Sequence, residues 1–339
     1  MAQIVQSSSG KRQCLGDIIP LRTPLSIHMF TSYYCDFRCK YCLQSLGDKE
    51  FKKIFKYKKF MSMQTFINAI DGMANFPDKL KVLCFDGQGE PLLNSSLPDM
   101  IAYAKEKNVA ERIELVTNGN RLSPSLCDKL IESGLDRIRI SIQGLSAQKY
   151  KEISDIEVDF DIFKQNIRYL YEHKKQVSIY IKIVDAALDG LGENVFYDMF
   201  GGMCDDIAVE HVVPTAEGVD YSQIKESYQV GQQGYLREQI KCCPFPFYMM
   251  IIEPEGEIRA CCATRHPVYY GNVNEHSVSD IWAGEKMRGF WEIQLSETGR
   301  YAVEECRGCN NPDFGVQVGD NIDSYVNIIQ ERLGEDYGC

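Results

Sequence analysis

A chain of 339 residues with 44% hydrophobic and 25% charged residues has a globular composition, large enough for one sizeable α/β domain and a smaller second unit. Its net charge of −11 argues against a surface built to neutralise nucleic-acid phosphates, and no apolar run approaches the ~18 residues of a membrane span. Residues 1–13 contain no apolar stretch ahead of a small-residue cleavage site. The expectation is a cytoplasmic protein with neither nucleic acid nor membrane as partner.

In chain order, apolar runs alternate with helix-like segments, the pattern of a parallel βα array. Strands are predicted at 25–30, 81–85, 112–116, 137–142, 178–184 and 207–212. The 3.6-residue spacing predicts helices at 63–76, 97–107, 124–133, 161–173 and 192–200. Ser62 is the expected N-cap of the first, and Pro124 follows Ser123 at the start of the third. Residues 49–60 carry six lysines, read as a solvated face, with attraction of an anionic substrate or phosphorylated handle as the alternative. Beyond Pro214 the chain turns polar and reads as a linker. A second unit from Ile240 begins with a hairpin, 248–253 and 257–261 around Pro254-Glu255-Gly256, followed by a helix over 278–294.

Fourteen cysteines are many for a reducing compartment, where clustered thiols bind metal more often than they pair. Cys35, Cys39 and Cys42 form CX3CX2C directly after the first strand, in a loop where Asp36, Arg38 and Lys40 alternate with the thiols. Three thiolates at one point suit an iron-sulfur cluster with one iron left open to an exogenous ligand. A zinc ion with His28 as fourth ligand is the alternative. Cys243, Cys261, Cys306 and Cys309 form a second set that can fill every position of a cluster, or bind one structural zinc. Cys262 is then a spare neighbour and a candidate free thiol, with a packing role as its alternative. Cys204 and Cys242 are further candidates, while Cys14, Cys84, Cys127 and Cys339 are assigned to packing or surface.

The segment Cys35-Asp-Phe-Arg-Cys39-Lys-Tyr41-Cys42 resembles the hallmark of the radical S-adenosylmethionine (radical SAM) enzymes, including the aromatic residue before the last cysteine. Three more segments are similar to family motifs and follow successive strands. Gly87-Gln88-Gly89-Glu90-Pro91 resembles GGEP with Gln88 between the glycines. Thr117-Asn118-Gly119 resembles TNG, and Ser141-Ile142-Gln143-Gly144 resembles the SIDG segment with Gln143 in place of aspartate. Ligands bind at the C-terminal strand ends of such sheets. The resemblance implies cofactor binding by Tyr41 beside the adenine, by Gly87, Gly89 and Glu90 at the methionine amine, and by Asn118, Ser141, Gln143 and Lys182. The second cysteine set resembles a shortened SPASM, or twitch, domain.

What the resemblance implies is an α/β fold, a partial (β/α)6 barrel over 21–214 followed by a small α+β twitch domain over 240–315. An N-terminal extension (1–20), a linker (215–239) and a C-terminal tail (316–339) complete the division. The implied cofactors are S-adenosylmethionine and two 4Fe-4S clusters, reduced by a flavodoxin- or ferredoxin-like donor. The second unit resembles that of radical SAM dehydrogenases and epimerases acting on aminocyclitols and amino sugars. The expected reaction is hydrogen abstraction from a hydroxyl-bearing carbon of a small polar substrate of sugar or cyclitol type. Epimerisation is favoured slightly over oxidation to a ketone because Cys262 is spare. Modification of a ribosomal peptide is the alternative, disfavoured by the short segment before Cys35. No catalytic base is assigned, with Glu210, His211 and Arg259 as the polar residues near the strand ends.

Overall fold

The computed structural model describes residues 2–5, 13–55, 60–188, 190–317 and 319–337. Lysines 56, 58 and 59 of the lysine run, and Cys339, lie outside these. Ten strands form one continuous sheet: β1 (Gln3–Ile4), β2 (Ser26–Met29), β3 (Leu80–Phe85), β4 (Ala110–Thr117), β5 (Arg137–Ile142), β6 (Ser178–Val184), β7 (Asp206–Glu210), β8 (Met249–Ile252), β9 (Glu257–Arg259) and β10 (Tyr269–Asn272). Their spatial order is β1-β7-β6-β5-β4-β3-β2-β8-β9-β10. Strands β2 to β7 are mutually parallel, as the alternating pattern predicts, and the sheet is open, with β1 and β10 at its edges.

Two additions lie outside the sequence expectation. Residues 3–4 extend the sheet beyond β7 in parallel register. The hairpin of the second unit joins the same sheet, because β8 pairs parallel with β2 through Ser26–Met249 to Met29–Ile252. The expected helix over 278–294 is two helices, Val278–Trp282 and Glu285–Gln294, separated at Ala283-Gly284. Residues 326–337, within the expected tail, form a helix, and Arg332 from it donates to the carbonyls of Gly16, Asp17 and Ile19.

Strand alternation sorts the side chains onto two faces. Ile27, Leu83, Phe85, Ile113, Leu115, Ile138, Ile140 and Ile181 are buried, and this face takes the helices, with Phe66 of helix Met63–Met73 lying 5.8 Å from Phe85. Four of the helices are capped from their own sequence: Ser62, Ser123, Ser146 and Asp159 each accept from the amide three residues on. The opposite register row reads His28, Cys84, Glu114 and Arg137, and the next rows add Arg139 to Tyr180 and Ser141 to Lys182. Parallel sheets are normally apolar on both faces. The face opposite the helices instead carries a row of charged groups that pair with one another, Arg139 with Glu114, Arg137 with Asp206 and Lys182 with Glu210.

Candidate active site

Loop 30–42 leaves β2 at its C-terminal end and carries the first three thiols. Asp36 anchors it to the loop after β4, accepting from Asn118 (2.8 Å) and Asn120 (2.9 Å) and pairing with Arg121 (3.2 Å). Its other side is tied to the end of helix Ala147–Ser154, where Arg38 and Lys40 amides donate to the Ser154 and Ile153 carbonyls and Cys39 Sγ lies 3.2 Å from Ser154 Oγ. Backbone amides already point at the thiols, Phe37 N at Cys35 (3.4 Å) and those of Leu43 and Gln44 at Cys42. Burial first, and then nearby negative groups, push Cys35 up to about 12, so a bound cation is needed to hold these sulfurs as thiolates.

The other motif residues converge at the same edge, though not all of them as free ligands. Glu90 is buried and its carboxylate is engaged: Leu92 N (3.0 Å), Thr117 Oγ1 (2.6 Å) and Asn118 N (2.8 Å) all donate to it. Burial pushes Glu90 up to about 7 despite those donors. Tyr41 donates its hydroxyl to Gln143, the residue in the place of the family's aspartate, while Gln143 Nε2 reaches the Ser141 carbonyl (3.2 Å). Lys182 faces inward and pairs with buried Glu210 (2.6 Å), which also accepts from Tyr180 and Gln232. Burial works to raise Glu210, but the Lys182 and Arg139 cations hold it below the usual carboxylate range. His211 is bound to Asp185 (3.0 Å), away from that pair.

Three features escaped the sequence reading. The linker 215–239 is not a free connection: Tyr221 donates to the Tyr41 carbonyl (2.9 Å), and Gln232 reaches Glu210 (2.7 Å), so it drapes over the strand ends. Gln88 bridges the two units, accepting from Gln44 through its carbonyl and donating to the Cys262 carbonyl (3.4 Å). His28, weighed as a zinc ligand with the first thiols, instead binds Asp86 (2.7 Å) beside Cys84 on the polar face. The alternation of β2 places His28 on that face while the thiols leave on the loop, which removes the proposed fourth ligand. Cys84, assigned to packing or surface, thereby joins a polar cluster.

Cys243, Cys261, Cys306 and Cys309 line one small cavity with Phe245, Pro267 and Pro312. Amides or an amide side chain donate to three of the four: Phe245 N to Cys243, Ala263 N to Cys261, and Asn311 to Cys309. Among the described residues, the only three ligand-type atoms within 4.8 Å of one another are those of His28, Cys84 and Asp86. Ligands at ~2.3 Å around one zinc stand ~4 Å apart. Both cysteine sets are spread more widely, which fits a multi-iron cluster better than a single ion. Cys262 remains outside the set. It is partly exposed, and burial, then Cys261 and Cys309, push it up to about 12.

The family description "Radical SAM superfamily" matches residues 29–194, and "Iron-sulfur cluster-binding domain", SPASM, matches residues 242–310. The chain belongs to the radical SAM superfamily, with a SPASM domain following its radical SAM domain. Its cofactors are S-adenosylmethionine, a 4Fe-4S cluster and further iron-sulfur in the SPASM domain. It is 24% identical over 318 residues to the tungsten-containing aldehyde ferredoxin oxidoreductase cofactor-modifying protein of Pyrococcus furiosus, covering 82% of this chain and 85% of that one. The fold is similar to BtrN in complex with AdoMet and 2-DOIA (TM-score 0.54, 17% identity, 85% and 93% coverage). It is also similar to Streptococcus suis SuiB bound to S-adenosylmethionine (TM-score 0.64, 16% identity, 94% and 77% coverage). Among the described residues, no helix is long and apolar enough to cross a membrane.

Proposed function

We propose that this radical SAM enzyme inverts a hydroxyl-bearing carbon of a sugar- or cyclitol-like substrate, with Cys262 returning the hydrogen. In this reading Cys35, Cys39 and Cys42 hold the cluster that binds S-adenosylmethionine, and Cys243, Cys261, Cys306 and Cys309 hold the second. Gly87, Gly89, Asn118, Ser141, Gln143 and Tyr41 bound the cofactor's pocket. Glu90 contributes by bracing Thr117 and Asn118, and Lys182 by its charge at the strand end. When bound, the cofactors supply a 5′-deoxyadenosyl radical that takes a hydrogen atom from the substrate carbon.

The observation that carries the reading is the position of Cys262. Its carbonyl is held by Gln88 of the GQGEP loop, and its thiol is coupled electrostatically to Cys261, Cys309, Arg259 and Asp86. A hydrogen-atom donor must be a thiol, and the upward shift keeps Cys262 protonated at neutral pH. Giving its hydrogen to the far face of the carbon radical leaves Cys262 as a thiyl. One electron, arriving through the adjacent cysteine set, and one solvent proton restore it. The enclosing residues 215–239 limit access of solvent to the strand ends.

The test is anaerobic turnover of aminocyclitols and amino sugars in deuterated buffer. The expected product is an isomer of the substrate in which one carbon-bound hydrogen is replaced by deuterium, and Cys262→Ala abolishes that label while still cleaving S-adenosylmethionine. A ketone without solvent label would overturn the epimerase reading in favour of dehydrogenation. A second reading, modification of a ribosomal peptide, is favoured by the likeness to SuiB bound to the precursor peptide SuiA (TM-score 0.62) and by an open groove of about 650 Å³ lined by Glu217, Tyr221, Thr264, Arg265 and Cys309. Turnover of peptides with none of the sugars would establish it.

A further inference from the structure

Buried polar atoms in folded proteins almost always have a hydrogen-bond partner, and each exception calls for a cause. Two exceptions flank the second cysteine set. Tyr270, on β10, is 5% exposed, and its hydroxyl has no partner among the described residues. Its ring is fixed against Phe290 (6.3 Å, edge-on). After burial, the largest electrostatic influences on it come from Cys261, Cys306 and Cys243. Gln294 is fully buried, with Oε1 accepting from the Cys243 amide (3.2 Å) and Nε2 unpartnered. Two donors on different elements are therefore left over beside this set, Tyr270 towards Cys261, Cys306 and Cys243 and Gln294 at Cys243.

The thiols themselves show a matching gap. Cys243, Cys261 and Cys309 each receive a local N–H, whereas the leading influences on Cys306 are burial and the charges of Cys261, Cys309 and Glu305. Arg300, the nearby buried cation, directs its guanidinium to the Ile240 and Cys309 carbonyls and to Asp313. A set of thiolates and sulfides would bring several acceptors into this apolar cavity. We infer that the second iron-sulfur cluster is hydrogen-bonded by the Tyr270 hydroxyl, with Gln294 Nε2 as a second donor, and that Tyr270 sets the potential of that cluster.

The inference rests on the reading of Cys243, Cys261, Cys306 and Cys309 as cluster ligands. Donors to cluster sulfur stabilise the reduced, more negative state and so raise the reduction potential. Tyr270 is thus a positioning residue for electron flow past Cys262, without touching substrate. The choice of a phenol over phenylalanine matters only when acceptors are present. Without them, the hydroxyl is a buried cost.

The experiment uses the anaerobically reconstituted full chain in which Cys35, Cys39 and Cys42 are replaced by alanine, so that only the second cluster is loaded. Iron per chain and the midpoint potential, from an electron paramagnetic resonance titration, are compared with and without Tyr270→Phe. The expected result is four irons in both and a more negative midpoint in the Tyr270→Phe protein. An unchanged midpoint with full iron overturns the inference and leaves the hydroxyl to a trapped water. One zinc and no iron overturns the cluster reading itself, and the inference with it. Biosynthetic 3-fluorotyrosine, a stronger donor that needs no substitution, provides a check if Tyr270→Phe fails to load. It is expected to move the midpoint upward, and no movement overturns the inference.

Discussion

Gly89 shows how little room the cofactor edge leaves. A β-carbon there would stand 2.3 Å from the Ser32 carbonyl oxygen and 2.7 Å from that of Tyr34. Those carbonyls belong to the loop carrying the first thiols, and Glu90 N donates to one of them (2.7 Å). Backbone oxygens cannot rotate aside as a side chain can. Gly89→Ala is therefore expected to cost about 1–3 kcal/mol and, with Cys35, Cys39 and Cys42 as the proposed ligands of the first cluster, to lose that cluster's iron while retaining that of the second set. Gly202→Ala, which meets nothing within 4 Å, is the control, expected within about 0.5 kcal/mol. Melting temperature and iron per chain check both, and equal losses in the two variants would refute the steric argument. Gly87 is constrained differently, by φ of +121° and by the Phe30 ring. The motif made both glycines visible as candidates in the sequence. Which atoms each one faces depends on contacts some 55 residues away, and local pattern carries no information about those.

At the level of elements, the turn after β9 is built around Arg259. It is fully buried, stacked over Phe30 (5.1 Å), paired with Glu253 (3.0 Å), and donates to the Ala263 carbonyl and to His266 Nδ1 (3.0 Å). A guanidinium only donates, so His266 Nδ1 must be the acceptor and the ring neutral. Burial, then Arg259, push His266 down to about 4. The folded value lies below the unfolded one of ~6.5, so the unfolded chain takes up more protons between these limits. The stability tied to the neutral ring is complete above pH ~6.5 and is lost as pH falls towards 4. His266→Gln keeps an acceptor for Arg259 and removes the titration. Its stability, followed by melting temperature, should fall less between pH 7 and pH 4.5 than that of the parent, by roughly 1–2 kcal/mol after allowing for partial solvation. Parallel slopes would show that His266 is not the group responsible. The βα elements were legible because each carries its own period: β5, β6 and the helix over 97–107 match their predicted limits. Two-residue β1 has no period to read, and it forms only because β7 offers an edge two hundred residues later. The break at Ala283-Gly284 was hidden by continuous apolar spacing across two helices.

Across the whole molecule, the decisive feature is that β8 of the SPASM domain is an integral strand beside β2 of the radical SAM domain. The same junction is closed elsewhere: Trp282 Nε1 donates to the Leu21 carbonyl (2.8 Å), and Gly72 lets helix Met63–Met73 approach the Val278 amide. Sequence reading placed the two cysteine sets in separate units because a polar segment divides them, and hydropathy does not reveal which edge a later strand joins. Unfolding the second unit would strip β2 of a neighbour and expose Ile27 and Met29, which are fully buried. Because β2 runs directly into the loop of Cys35, Cys39 and Cys42, instability in one unit is transmitted to the metal site of the other. Replacing Cys306 and Cys309 together by alanine should therefore lower the melting temperature of the entire chain, leaving a single calorimetric transition, and accelerate iron loss from the first set. Two resolved transitions, with the upper one and the first cluster unaffected, would mean that the shared sheet does not couple the units. A single coupled transition would make the distance from the second set through Cys262 to the strand ends a fixed property of the fold, as a hydrogen return on one face of a substrate requires.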